Sequence, residues 1–271
     1  MRTKLISAPY TIWMTLFIIV PMGLVAFFAF TDKSGAFTLD NIARVGQYSN
    51  VFLRSIWLGA LATFISLLLG YPLAYIIAKA APNRQSFLIL LIMLPMWMNF
   101  LLRTYAWMGL LSINGPVNAV LGVFGLGPYN MLNTSGAVVL GMVYNYIPFM
   151  ILPLYTTMCK IGNDVIEAAQ DLGGNTFQVM ARVVVPLSLP GVSTGITMVF
   201  VPCVSTFYIT QKLGGGQVVL VGDVIETQFQ SANNYNLGAA LSLVLMVLIL
   251  ICLGVMNHFG ADDSSDGGVI V

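Results

Sequence analysis

Charge is scarce in this sequence. Asp, Glu, Lys and Arg make up 8% of its 271 residues, against roughly 25% in an ordinary soluble domain. With 58% hydrophobic residues there is too little polar surface to enclose a soluble core, so the chain reads as an integral membrane protein. The net charge of +1 provides no basic face for nucleic acid. His258 is the single histidine, and Cys159, Cys203 and Cys252 are too widely spaced for a metal site or a disulfide framework. Each cysteine lies in or beside an apolar run, where a free membrane thiol is the simpler reading. A phosphate-binding loop needs a Gly-Lys step. Lys4, Lys33, Lys79, Lys160 and Lys212 follow Thr, Asp, Ala, Cys and Gln, so none qualifies. One histidine also leaves no room for a nucleophile–base–acid constellation. The chain is expected to be no enzyme by itself and to hold no metal or cofactor of its own.

What the chain does have is long uncharged runs. About 20 apolar residues cross the hydrocarbon core, and six stretches of that kind occur, near residues 10–30, 55–78, 86–111, 136–158, 187–210 and 236–256. The first run is longer than the apolar part of a signal peptide and lacks a clear small-x-small cleavage site, so a retained span is expected. Residues 31–53 are polar. Residues 112–136 are rich in Asn, Gly and Pro and predict a loop against the membrane surface, and 211–235 predict another loop. Residues 1–9 are expected to be a cytoplasmic tail, 10–257 the six-span domain, and 258–271, with Asp262, Asp263 and Asp266, a disordered tail. Six spans put both termini on the same side as the segment between spans 4 and 5. Arg2, Lys4, Lys79, Arg84, Lys160 and Arg182 fall there, against Lys33, Arg44 and Lys212 opposite, with Arg54 at the edge of span 2. Under the positive-inside rule that side is cytoplasmic.

The segment at about 160–186 is the polar interruption that organises the chain. Val165, Ala168, Ala169 and Leu172 follow i, i+3, i+4, i+7 spacing, which predicts a helix with one apolar face. Asp164, Glu167 and Asp171 lie on its other side. Asp164 and Glu167 read as a D-x-x-E form of the capping box, and Gly173-Gly174 as a stop, because glycine accepts the left-handed conformation. Asn175 is placed to cap a second short helix reaching Arg182. Two small helices with a glycine hinge make a protrusion that a soluble partner can grip.

Glu167-Ala168-Ala169, then Gly173, then Val183-x-Val185-Pro186 resembles the EAA coupling loop of ABC importer permeases. Valines stand where that family more often has Ile and Leu. The likeness extends to Pro95-Met96-Trp97-Met98-Asn99, Leu102-Arg103-Thr104-Tyr105, Val143-Tyr144, Pro148-Phe149-Met150, Pro153-Leu154-Tyr155, Leu213-Gly214-Gly215 and Gly222-Asp223-Val224-Ile225, which are similar to the polyamine (spermidine/putrescine) branch. The resemblance implies an all-α membrane protein, a type I ABC importer permease of six transmembrane helices. Glu167, Ala168, Ala169, Gly173 and Pro186 would couple it to an ATPase dimer that binds ATP and Mg²⁺. A second homologous permease and an extracytoplasmic substrate-binding protein complete the implied assembly, set in membrane lipid. Related branches import opines, thiamine or ferric ion. An ATP-independent transporter would need intramembrane ionisable groups or an internal repeat, and neither is evident.

A polyamine carries several positive charges, which need carboxylates, aromatic faces or water along their path. No Asp or Glu falls inside the expected spans. Asp223 and Glu226, spaced i, i+3 in the last outer loop, are candidates to receive the cation. The same pair also suits a solvated loop or a dock for the binding protein. Among the aromatics, Trp97, Tyr144 and Tyr208 are the candidates to line the path, although membrane Trp and Tyr also serve as interfacial or packing groups. Arg103 near a span interior is expected to have a structural role. Prolines 148, 153, 190 and 202 are candidate hinges, and Gly191-x-x-x-Gly195 would let another helix approach closely.

Overall fold

The computed structural model describes Tyr10 and residues 12–261; residues 1–9 and 262–271, expected to be tails, lie outside that range. The chain order is α1 (Ile12–Ala29), α2 (Asp40–Val45), α3 (Ser49–Ala78), α4 (Pro82–Trp97), α5 (Phe100–Leu111) and α6 (Pro116–Val123). It continues with α7 (Ser135–Met158), α8 (Asn163–Asp171), α9 (Thr176–Ser205), α10 (Tyr208–Leu213), α11 (Val221–Gln230) and α12 (Tyr235–Ala261). Among the described residues, β pairing is limited to the isolated bridge between Thr31 and Phe37. Six segments among the described residues are long and apolar enough to cross a membrane: Ile12–Ala29, Asp40–Ala78, Phe100–Val123, Ser135–Met158, Thr176–Ser205 and Tyr235–Val255.

The third apolar run departs from the sequence expectation. It is not one helix over 86–111, because α4 stops at Trp97 and α5 starts at Phe100, with Met98 extended between them (φ −77°, ψ 146°). Pro95 weakens the last turn of α4, and the Asn99 side chain accepts the Leu101 N–H at 2.8 Å, which caps α5. With 16 residues α4 is about 24 Å long, short of a hydrocarbon core of about 30 Å. Helical backbone also appears in the segments between the apolar runs, two of which were expected to be loops. α2 lies in the polar segment after span 1, α6 in 112–136, and α11 in 211–235. Each connector buries some residues, Asn118 in α6 and Val221 in α11 among them, so tertiary contact rather than composition holds these short helices. The helix expected to end at Arg182 instead runs on into span 5. The Val185 N–H bonds Met180 O, a wide π turn just ahead of Pro186, and α9 continues to Ser205. Residues 258–261 belong to α12 and not to the tail.

Two apolar clusters hold the fold. The larger joins α3, α7, α9 and α10 through Leu58, Met142, Met150, Leu154, Val199 and Ile209. The second joins α1, α2, the start of α3, the end of α9, α11 and α12 through Ala29, Val45, Phe52, Val204, Val221 and Leu241. α7 is the most enclosed span, with α3 and α9 packed along it. The Gly191–Gly195 stripe is used inside the chain: a Cβ on Gly191 would meet Thr157 Oγ1 at 2.7 Å, and one on Gly195 would meet Met150 Sδ at 2.7 Å. Both contacts are to α7, so the small residues seat α9 against it rather than marking a partner. Pro148, Pro153, Pro190 and Pro202 all sit inside helices, each removing one ladder hydrogen bond.

Candidate functional site

The segment between α7 and α9 forms a compact helical hairpin. α8 begins at Asn163 with Gly162 as its N-cap, and no side chain caps it. The expected capping box from Asp164 is therefore not formed; Asp164 sits within the first turn, where its charge still suits the helix dipole. Gly173 adopts φ +85°, the left-handed value anticipated for it, and Gly174 N–H returns to Ala169 O at 3.1 Å to close the helix. Asn175 then caps the next helix reciprocally. Its Oδ1 accepts the Gln178 N–H at 2.8 Å, and Gln178 Oε1 accepts the Asn175 N–H at 3.0 Å.

The apolar face of this hairpin is uncovered. Leu172 is 90% and Phe177 80% exposed, and Glu167, Ala168 and Pro186 are also exposed. Ala169 is half-buried at a shallow groove of about 400 Å³ that Leu172, Gly174, Val179 and Arg182 also line. Apolar side chains this exposed beside small residues and a glycine turn form a docking surface in chemical character. The hairpin is tied to the spans at both ends. Lys79, just past α3, donates to Ile161 O at 3.1 Å and Asn163 Oδ1 at 2.8 Å, while Tyr71 OH and Ser188 Oγ lie 2.9 Å apart between α3 and α9. Gln85 adds a brace by donating to Ala78 O and Ala80 O while accepting from Tyr155 OH. Sequence reasoning missed these ties, because Lys79 reads there only as a charge that ends a span.

At the other end of the bundle, both candidate acids turn to α10. Asp223 is buried; its Oδ1 accepts from Thr210 Oγ1 at 2.6 Å and its Oδ2 from the Leu220 N–H at 2.8 Å, at the start of α11. Burial pushes the Asp223 carboxyl up to about 6 and the nearby Glu226 charge adds to it, while the two hydrogen bonds pull the other way. Glu226, one turn on, accepts from Gln211 Nε2 at 3.1 Å. Asp223, Thr210, Gln211 and Tyr48 border a cavity of about 440 Å³. The candidate aromatics fall into separate groups. Trp97 ends α4 and is 74% exposed, Tyr144 meets Trp107 edge-on at 5.2 Å, and Tyr208 joins Phe100 and Tyr105. Arg103 is turned inward, 8% exposed, with its guanidinium 5.8 Å from the Phe100 ring centre and with Nε and Nη1 unpartnered among the described residues.

Residues 70–260 match the family of binding-protein-dependent transport system inner membrane components. The chain is similar to the spermidine/putrescine transport system permease protein PotB of Haemophilus influenzae, 38% identical over 251 residues covering 89% of this chain and 88% of that one. PotB of Escherichia coli is 34% identical over 247 residues, covering 88% of this chain and 90% of its own. The inner membrane ABC transporter permease protein YdcU of Escherichia coli is 30% identical over 243 residues, 84% of this chain and 77% of its own. In fold, the chain is similar to one in the crystal structure of a bacterial ABC transporter for the acidic polysaccharide alginate, with a TM-score of 0.78, 20% identity and 96% of each chain covered. The six apolar spans and these likenesses along nearly the whole length make this chain a member of the binding-protein-dependent inner membrane component family, a multi-pass ABC importer permease.

Proposed function

We propose that this chain is one half of the membrane pore of an ATP-driven importer of polyamines. The observation that carries the reading is its 38% identity with a spermidine/putrescine permease along 89% of this chain. The hairpin of α8 and the first turns of α9 is the coupling element. Its exposed Leu172, Phe177 and Ala168 meet the cleft of an ATPase subunit, which binds ATP and Mg²⁺. Glu167, Ala169, Gly173 and Pro186 shape the hairpin and transmit force without taking part in chemistry. Both termini and the hairpin face the cytoplasm, as the basic residues suggest. A second homologous permease completes the pore, and an extracytoplasmic binding protein delivers substrate to the opposite side. A neighbour of the same fold is a bacterial alginate ABC transporter in complex with an alginate pentasaccharide-bound periplasmic protein, which supports an assembly of this kind.

The mechanism follows from the ties. Closure of the ATPase pair moves the hairpin, and α3 and α9 move with it through Lys79, Tyr71 and Ser188. The spans turn, the pore opens outward, and hydrolysis resets it. Apart from Asp40 at the very start of the Asp40–Ala78 segment, no Asp or Glu lies in the described spans, so a polycation relies on water and on ring faces within the membrane. Trp97, Tyr144 and Tyr208 supply rings, and Asp223 and Glu226 supply negative charge at the outer end. The reading is tested by mild-detergent purification followed by mass spectrometry of the accompanying subunits, and by uptake of labelled putrescine and spermidine into proteoliposomes. An ATPase with a Walker loop, a second six-span chain and ATP-dependent polyamine uptake are expected. A chain that copurifies with neither subunit would overturn the coupling assignment, and uptake of some other solute alone would overturn the substrate.

A further inference from the structure

Lys212 lies in the last turn of α10, half-buried, and its ammonium sits 5.4 Å from the Tyr105 ring centre and 5.7 Å from that of Tyr208. Tyr208 meets Tyr105 edge-on at 6.5 Å and Phe100 at 5.8 Å, so three rings and one ammonium form a single cluster between α5 and α10. A cation over an aromatic face is attracted by the ring quadrupole. Tyr105 is 49% exposed, so the cluster opens on the protein surface. The other face of α10 is secured by Thr210 on Asp223 and by Gln211 on Glu226. Lys212 can therefore leave the rings by rotating its own side chain while α10 stays in place.

The chemistry of the occupant is informative. A lysine side chain is a butylammonium, the same four-carbon arm that ends a 1,4-diamine. We infer that Tyr105 and Tyr208 form a site for a primary alkylammonium, and that Lys212 fills it as a tethered copy of the group that an incoming cation displaces. The substrate class in this inference rests on the polyamine reading above. Displacement sets a threshold: a cation gains the rings only by releasing the lysine from them. A neutral solute gains nothing by doing so, which makes Lys212 a determinant of specificity as well as an occupant.

The test is isothermal titration of butylammonium and of 1,4-diaminobutane into the full chain, reconstituted in lipid nanodiscs with the subunits that copurify. Lys212→Met is expected to bind both probes about threefold to tenfold more tightly, because the rings are freed. Lys212→Arg keeps a cation that stacks on tyrosine and is expected to behave like the parent. The gain should vanish in Lys212→Met combined with Tyr208→Leu, or with Tyr105→Leu. If Lys212→Met binds no more tightly, or if the gain survives loss of either ring and so reflects charge alone, the inference is overturned. Polyamine uptake by the parent protein is measured beside it. Failure of uptake removes the polyamine reading, while the titration still decides the Lys212 site.

Discussion

The ammonium of Lys79 lies 2.8 Å from Asn163 Oδ1, which pins the end of α3 to the first residue of α8. A second bond from the same ammonium reaches Ile161 O, at the turn where α7 gives way to the hairpin. One side chain thus bridges the ends of two spans and the start of α8. Such charge-assisted bonds are about twice as strong as neutral ones, and the Gln85 brace and the Tyr71–Ser188 pair do not reach Asn163 or Ile161.

Lys79→Met should therefore loosen the hairpin without unfolding the bundle. Uptake per ATP hydrolysed in proteoliposomes is expected to fall about tenfold, the equivalent of roughly 1.4 kcal/mol of lost coupling. Lys79→Arg, which retains the donors, should recover most of it. A Met variant with parental stoichiometry would show that α3 is not the element driven by the hairpin.

Ala168 is exposed on α8, so replacing it leaves the fold intact. Ala168→Arg should reduce copurification of the ATPase at least tenfold, because a long charged side chain would occupy the docking face. The thermal midpoint of the chain should hardly move. Normal coupled uptake by this variant would remove the docking role from this face.

Gly191→Leu places four carbons against Thr157 and Pro153 of α7. Overpacking of this kind costs about 1–3 kcal/mol, and the thermal midpoint in detergent should drop accordingly. Gly173→Val strains a position at φ +85° and should instead act locally, weakening ATPase binding more than stability.

Asp223 predicts a pH dependence with a definite sign. Its carboxyl is raised from 3.8 to about 6 in the folded protein, so between those values the native state holds the proton more tightly than the unfolded one. Stability contributed by the protonated form is present below pH 3.8 and is lost as pH rises through about 6. The stability of the parent should fall across that window, by less than the roughly 3 kcal/mol ceiling that the shift from 3.8 to about 6 sets for this group. Asp223→Asn should abolish the dependence. Asp223→Ala leaves the Leu220 N–H unsatisfied, while the Thr210 hydroxyl retains Phe207 O at 2.6 Å, and should cost about 1–3 kcal/mol at any pH. Asp223→Lys should weaken polyamine uptake without preventing assembly; unchanged uptake would take Asp223 out of the substrate path.

Much of the fold was legible because membrane crossing demands long uncharged runs, and such runs are visible residue by residue. The helical hairpin was legible for a local reason as well. Gly173 at positive φ and Asn175 as a reciprocal cap are short-range devices, complete within a few residues. Asp164 was misread as a cap because the helix starts two residues earlier than that reading requires, at Asn163 with Gly162 as N-cap, where Asn163 also accepts a hydrogen bond from Lys79. The break at Met98 was missed although Pro95 and Asn99 flank it, since hydropathy alone does not register a change in backbone direction. The short helices α6 and α11 were hidden in expected loops and α2 in a polar segment, because helices of that length gain most of their stability from contacts with distant parts of the chain.

By itself the sequence determined the class of molecule, the number of spans and the outline of the helical hairpin between α7 and α9. All of these depend on composition or on contacts within a few residues. Tertiary structure alone decided that Gly191 and Gly195 seat α9 on α7, that Lys79 ties α3 to the hairpin, and that the ammonium of Lys212 rests on Tyr105 and Tyr208. Each of these joins residues far apart in the chain or on separate helices. The physical reason is geometric: hydrogen bonds, ring faces and close backbone approach act over a few ångströms, and only the folded bundle brings such residues that near.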